Sequence, residues 1–206
     1  MEKIQIIKDT VVPMVIENID TDQIIPARFL KAVDRKGFGD NLFRDWRFDE
    51  DGKLKQEFVL NNELYAGKIL LVGNNFGCGS SREHAAWALY DYGFRVIVST
   101  FFADIFKENA LNNGILPVEI SKEFHEILTE EVERDAQTKI SVNLERQEIR
   151  LIISGEVEIF QINRYKKECL LNGLDDLEFL IQMRSEIENY ELKNGVEERV
   201  TAIHEN

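Results

Sequence analysis

Hydrophobic residues in the middle of the chain form short runs separated by polar turns. Residues 68–72, 94–99 and 115–118 are largely apolar, which is typical of strands buried on both faces of a sheet. The two intervening segments, at about 81–92 and 103–111, have lengths typical of helices and end at glycine or asparagine residues. Alternating strands and helices predict right-handed crossovers and a parallel sheet.

On either side of this middle part, apolar and polar residues alternate over shorter distances. Apolar runs broken by polar pairs within residues 4–25 predict strands that lead into a polar loop. Alternating apolar and polar residues between positions 140 and 162 predict antiparallel strands.

The end of the chain has the pattern of an amphipathic helix. Asp175 followed three positions later by Glu178 predicts a capping box at the start of that helix. We expect residues 1–206 to form a single domain, with a helical extension from about residue 163 to 206.

Composition limits the class of protein. The 206 residues include 44% hydrophobic ones, enough to bury one substantial core. The net charge of −13 argues against nucleic acid or an anionic membrane as partner, because both require clustered basic residues. No apolar stretch approaches the roughly 18–20 residues that span a bilayer. Residues 1–5 lack the features of a secretory signal, so we expect a cytoplasmic protein.

The chain has two cysteines, Cys78 and Cys169. We expect free thiols, because a cytosolic chain of this size needs no disulfide. Two cysteines are too few for a cluster held by three or four of them, and no spacing of His, Asp and Glu indicates a metal site. We also expect His125 and His204 to lie on the surface.

The sharpest motif is GCGSSREH at residues 77–84, between a predicted buried strand and a predicted helix. Glycines let backbone N–H groups approach a ligand, and a helix N-terminus attracts negative charge, so the motif predicts an anion site. Arg82 is suited to clamping a carboxylate. The alternative is that Ser80 or Ser81 only caps the helix.

Residues 77–84 can be compared with three other functional motifs. A Cys78/His84 nucleophile pair is an alternative, although a packed or capping His84 is the simpler interpretation. Position 82 is not glycine, so the motif is not the dinucleotide fingerprint. The Gly-x-Ser-x-Gly elbow of hydrolases is also missing.

Residues 74–85 and the earlier segment 18–26 resemble two loops of the aconitase superfamily's swivelling domain. Residues 38–48 and 169–175 are similar to the small subunits of bacterial 3-isopropylmalate dehydratases in particular, and the resemblance covers about residues 12–190. It implies an α/β fold of three layers, a β/β/α swivelling domain with a mixed, partly parallel sheet.

The resemblance also implies a hydro-lyase of leucine biosynthesis that isomerises 2-isopropylmalate to 3-isopropylmalate by dehydration and rehydration. Such a subunit is active only with an iron–sulfur large subunit, which carries the [4Fe–4S] cluster. In this family the first serine of the motif, Ser80, is the base that removes a proton. Ser81 and Arg82 correspond to contacts with the substrate carboxylates. We also expect Arg82 and the backbone N–H groups at the helix start to stabilise the serine alkoxide.

Substrate selectivity is assigned by the resemblance to residues 27–32. There Arg28 and Lys31 are expected to meet carboxylates, and Leu30 to line an apolar pocket. Aconitases carry a substrate-binding arginine shortly before the first loop, where this chain has Pro-Met-Val at 13–15, which favours an isopropyl group over a third carboxylate. The alternatives are a homoaconitase or citraconate-type small subunit, and a non-catalytic anion-binding module.

Overall fold

A computed structural model describes residues 1–30 and 37–194. The chain divides into two compact units, Met1–Gly173 and Leu174–Asn206. The boundary falls inside the helical extension expected from about residue 163, and a single domain over residues 1–206 stays a prediction. Among the described residues, no helix is long and apolar enough to cross a membrane.

Within these residues, seven strands form one mixed sheet in the order β4-β3-β2-β1-β5-β6-β7. The strands are β1 (Ile6–Met14), β2 (Ile69–Val72), β3 (Val96–Ser99), β4 (Leu116–Glu119), β5 (Lys139–Asn143), β6 (Glu148–Leu151) and β7 (Val157–Ile159). β1 to β4 are parallel, with Val11 opposite Ile69 and Ile69 opposite Val96. β5 pairs antiparallel with β1, and β6 and β7 continue antiparallel. The predicted mixed, partly parallel sheet is confirmed.

The helices of the described residues are short to medium in length. They are α1 (Thr21–Ile24), α2 (Arg44–Arg47), α3 (Glu83–Tyr92), α4 (Asp104–Asn112), α5 (Lys122–Arg134), α6 (Arg164–Asn172), α7 (Asp176–Gln182) and α8 (Arg184–Asn194), with 3₁₀ turns at Ala27–Phe29, Phe38–Asn41 and Val59–Asn61. α3 and α4 are the two predicted helices of the middle part. The predicted capping box of Asp175 and Glu178 begins α7.

Alternate residues of the parallel strands face two different cores. Leu70 and Ile97 pack with apolar residues of α3 and α4. Ile69 and Leu71 pack with α5 and the buried residues of β5 and β6 on the other face. The parallel strands therefore lie between a helical layer and a layer that contains the antiparallel strands, as expected for β/β/α layering.

The expectation that His125 lies on the surface is wrong. His125 is buried in α5, and its Nε2 lies 2.8 Å from the carbonyl oxygen of Val72, the last residue of β2. Helical spacing places His125 on the same face as Leu128 and Val132, which face the core. No prediction covered α5, although its apolar residues repeat every four positions. His204 lies outside the described residues.

Candidate active site

The motif loop, residues 73–82, connects the end of β2 to the start of α3. Its backbone adopts the left-handed conformation at Asn75 (φ 60°), Gly77 (φ 77°) and Gly79 (φ 94°). A Cβ on Gly77 would also overlap the Phe106 ring. Glycine is therefore required at position 77 by both conformation and space.

A second segment, the companion loop (residues 18–24), holds the motif loop through its main chain. The amide of Gly77 donates to the carbonyl of Ile19 at 2.7 Å, and the amide of Thr21 donates to the carbonyl of Cys78 at 2.9 Å. The companion loop is itself fixed, because Asp20 and Gln23 form a capping box at the start of α1. The two loops that carry the family resemblance therefore lie side by side.

Ser80 lies at the end of this paired region, with an exposed side chain. Its Oγ is 3.0 Å from Oγ1 of Thr21, and either hydroxyl can donate. The amide of Ser80 also donates to Thr21 Oγ1 at 3.2 Å. Thr21 is 1% exposed, so a buried hydroxyl orients an exposed one.

Sequence reasoning missed Thr21. The only signal was its position in the companion loop, because no property of an isolated threonine indicates that it faces a serine 59 positions later.

Ser81 and Arg82 connect the motif loop to α3. The alternative that Ser80 or Ser81 caps this helix is not supported: Arg82 occupies the N-cap position, and its side chain makes no cap hydrogen bond. The serines precede the cap position, so their hydroxyls are not used by the helix. The Arg82 guanidinium forms an ion pair with Asp22 of α1, which places a cation close to both loops.

The contacts of Cys78 and His84 do not favour the pair that nucleophilic catalysis requires. Burial and the negative charge of Asp20 raise the pKa of the Cys78 thiol, which disfavours the reactive thiolate. The thiol donates to the carbonyl of Asn18 at 3.4 Å. The His84 ring packs against Trp87, with ring centroids 4.5 Å apart. The geometry favours structural roles for both residues.

The expected substrate segment is held by side chains. Arg28, in the 3₁₀ turn Ala27–Phe29, forms a two-pronged ion pair with Asp45 of α2. The hydrogen bond from Arg28 is the main cause that lowers the pKa of Asp45. Leu30 is partly buried against the core that contains α3. Lys31 lies outside the described residues.

The described residues contain no group of three or more His, Cys, Asp and Glu side chains that could hold a metal ion. Neither cysteine is in a disulfide; Cys78 lies in the motif loop and Cys169 is buried in α6. The donor set of a [4Fe–4S] cluster is therefore not formed by these residues. What they offer is an exposed hydroxyl, a buried hydroxyl behind it and a guanidinium, which suits an anionic substrate.

Comparisons with known proteins show the family to which the chain belongs. The profile of the aconitase C-terminal domain family matches residues 1–123. The chain is 58% identical over 200 residues to the 3-isopropylmalate dehydratase small subunit of Christiangramia forsetii, covering 97% of this chain and 98% of that protein. The corresponding protein of Cytophaga hutchinsonii is 56% identical over 191 residues, covering 93% of this chain and 95% of the relative.

A solved structure supports the fold. The crystal structure of a 3-isopropylmalate dehydratase from Methanocaldococcus jannaschii superposes with a TM-score of 0.64, at 23% identity, covering 90% of this chain and 99% of that one. By sequence and by fold, the chain belongs to the aconitase C-terminal domain family, within the group of 3-isopropylmalate dehydratase small subunits.

Proposed function

We propose that this chain works with an iron–sulfur large subunit to isomerise 2-isopropylmalate to 3-isopropylmalate in leucine biosynthesis. The reaction removes water from the substrate and adds it back on the neighbouring carbon. The observation that carries the proposal for this chain is the exposed Ser80, which Thr21 orients and which lies two positions before Arg82.

Ser80 acts as the base. Its Oγ takes the proton from the carbon next to a substrate carboxylate and returns it during rehydration. A serine hydroxyl is a weak base, so its alkoxide form must be stabilised. The Thr21 hydroxyl, 3.0 Å from Ser80 Oγ, can donate to the alkoxide, and Arg82 and the N-terminal end of α3 add positive charge.

Four residues of this chain bind the substrate carboxylates: Arg82, Ser81, Arg28 and Lys31. A guanidinium has five N–H donors, so Arg82 and Arg28 retain donors while each is paired with an aspartate. Leu30 lies beside the isopropyl group. Residues 13–15 include no arginine to pair with a third carboxylate, which supports an apolar substituent on the substrate. Met14 is buried in β1.

The large subunit carries the [4Fe–4S] cluster, because the two cysteines of this chain are too few to hold one. Such a cluster would supply a Lewis acid for the departing hydroxyl. The active site is then shared between the two chains. Cys78 and Cys169 form no disulfide, which supports a reducing compartment, the cytoplasm, as the place of action.

Reconstitution with the large subunit tests the proposed function. Dehydration is measured for each chain alone and for the mixture, on isopropylmalate, citrate, homocitrate and a methyl analogue. We expect no activity from this chain alone, and a kcat/KM of the mixture for isopropylmalate at least about tenfold above that for the other acids, as one or more apolar contacts provide. Preference for homocitrate or the methyl analogue would establish the homoaconitase or citraconate-type alternative. Binding without turnover would establish the anion-binding module.

A further inference from the structure

Four exposed apolar side chains lie at the edge of the sheet where the parallel strands end. Val15 and Ile16 follow the end of β1, Phe101 follows the end of β3, and Ile105 lies in the first turn of α4. Each is between 42% and 52% exposed. Parallel strands end at the same edge of a sheet, so these residues share that edge; we call them the carboxyl-edge patch.

The carboxyl-edge patch is continuous with the motif loop on both sides. The carbonyl of Ile16 lies so close to Gly73 that a Cβ there would overlap it. On the other side, the carbonyl of Phe101 accepts hydrogen bonds from the amides of Asn75 and Phe76, at 3.0 and 3.3 Å. The loop that presents Ser80 therefore starts between the two pairs of apolar side chains.

The exposure of Phe101 and Ile105 is not shared by the residues next to them. Phe102 and Phe106 come directly after Phe101 and Ile105 in the sequence and are almost completely buried. Exposed carboxylates border the patch, at Glu17 and Asp104. A complementary surface would be apolar at its centre and basic at its edge.

We infer that the carboxyl-edge patch is the surface on which the large subunit docks. The inference rests on the proposed function, which requires a second chain to complete the site. Exposed apolar side chains grouped on both sides of a functional loop indicate an interaction site. A partner seated on it also covers the exposed Ser80 and excludes water from the reaction.

A matched pair of isoleucines provides the test. Ile105→Asn changes the patch, and Ile153→Asn changes an exposed isoleucine in the turn between β6 and β7. Phe101→Ser with Ile105→Asn removes both apolar groups on one side. Affinity for the purified large subunit is measured by calorimetry, the melting temperature checks folding, and Ile16→Asn replaces any variant that does not fold.

We expect Ile105→Asn to weaken the Kd about tenfold and the double variant about a hundredfold, as for central interface residues. Ile153→Asn should stay within about twofold of wild type. At a saturating concentration of large subunit, the patch variants should regain wild-type kcat, because these residues do not touch the substrate.

An unchanged Kd for the double variant would overturn the inference. So would a defect in self-association of this chain with normal binding of the large subunit, since the patch would then be a contact between two copies. The proposed function fails separately: a wild-type complex that forms with normal affinity but does not dehydrate isopropylmalate leaves the docking surface in place and rejects the reaction.

Discussion

The two parts of the candidate site are held in place by different means. The motif loop is fixed by main-chain hydrogen bonds to the companion loop and by a backbone that requires glycine at position 77. The substrate segment, residues 27–30, is held by side chains: an exposed ion pair between Arg28 and Asp45, and the packing of Leu30 against the core. Exposed ion pairs contribute little to stability, about 0–1 kcal/mol.

This difference has a functional meaning. The chemical step needs a hydroxyl held within a fraction of an ångström, which main-chain bonding provides. Substrate preference depends on side chains that can change without altering the backbone. We therefore expect variants in the motif loop to remove activity, and variants in the substrate segment to alter the choice of substrate.

Gly77→Ala should have the largest effect. The left-handed conformation costs a non-glycine residue about 1–2 kcal/mol, and overlap with Phe106 adds about 1–3 kcal/mol. We expect about 3 kcal/mol lower stability in urea unfolding, and activity reduced beyond detection. The control is Gly52→Ala, in an open turn with φ 78° and no neighbour near a Cβ; it should lose only about 1–2 kcal/mol and stay active. Equal effects of the two variants would show that the motif loop is not specially constrained.

Thr21→Val should have an intermediate effect. It keeps the shape of the side chain but removes the hydroxyl 3.0 Å from Ser80 Oγ, so the alkoxide loses a donor. We expect kcat to fall about 10- to 100-fold, and the rising limb of the pH–rate profile to move to higher pH, because the base is harder to deprotonate. Thr21→Ser should restore both. A lower melting temperature with unchanged kcat and pH profile would indicate a purely structural threonine.

Leu30→Ala should have the smallest effect on the best substrate. Removing apolar volume beside the isopropyl group should reduce the preference for isopropylmalate over its methyl analogue about tenfold, while kcat on isopropylmalate changes less than about threefold. Leu54→Ala, at an exposed leucine in an isolated β-bridge with Phe48, serves as control. The ratio of kcat/KM values for the two acids is the measurement, and a uniform loss on both acids would assign Leu30 to folding instead of selectivity.

Much of the fold follows from local patterns. The buried strands, α3, α4 and the capping box of α7 were predicted because their signals lie within a few consecutive residues. His125 was misplaced because its partner, the carbonyl of Val72, is 53 positions away. The pairing of Arg82 with Asp22 and of Ser80 with Thr21 also depends on contacts between distant segments, which no local pattern specifies.

The start of α3 also depends on contacts that the local sequence does not specify. Two serines before a helix are a strong local signal for capping, yet the helix begins at Glu83 with Arg82 at the cap. The pairing of Ser80 with Thr21 on the companion loop accompanies this later start. At this position a contact between distant segments replaced the local preference, which is expected at functional sites.

The most direct test of the central claim is Ser80→Ala in the reconstituted complex, with kcat and melting temperature measured on one preparation. Because Ser80 makes no cap hydrogen bond, the melting temperature and the affinity for isopropylmalate should stay close to wild type. The kcat should fall about 10²- to 10⁴-fold, the usual range for loss of a general base. A destabilised variant that turns over at the wild-type rate would contradict the account and place the base on the other chain.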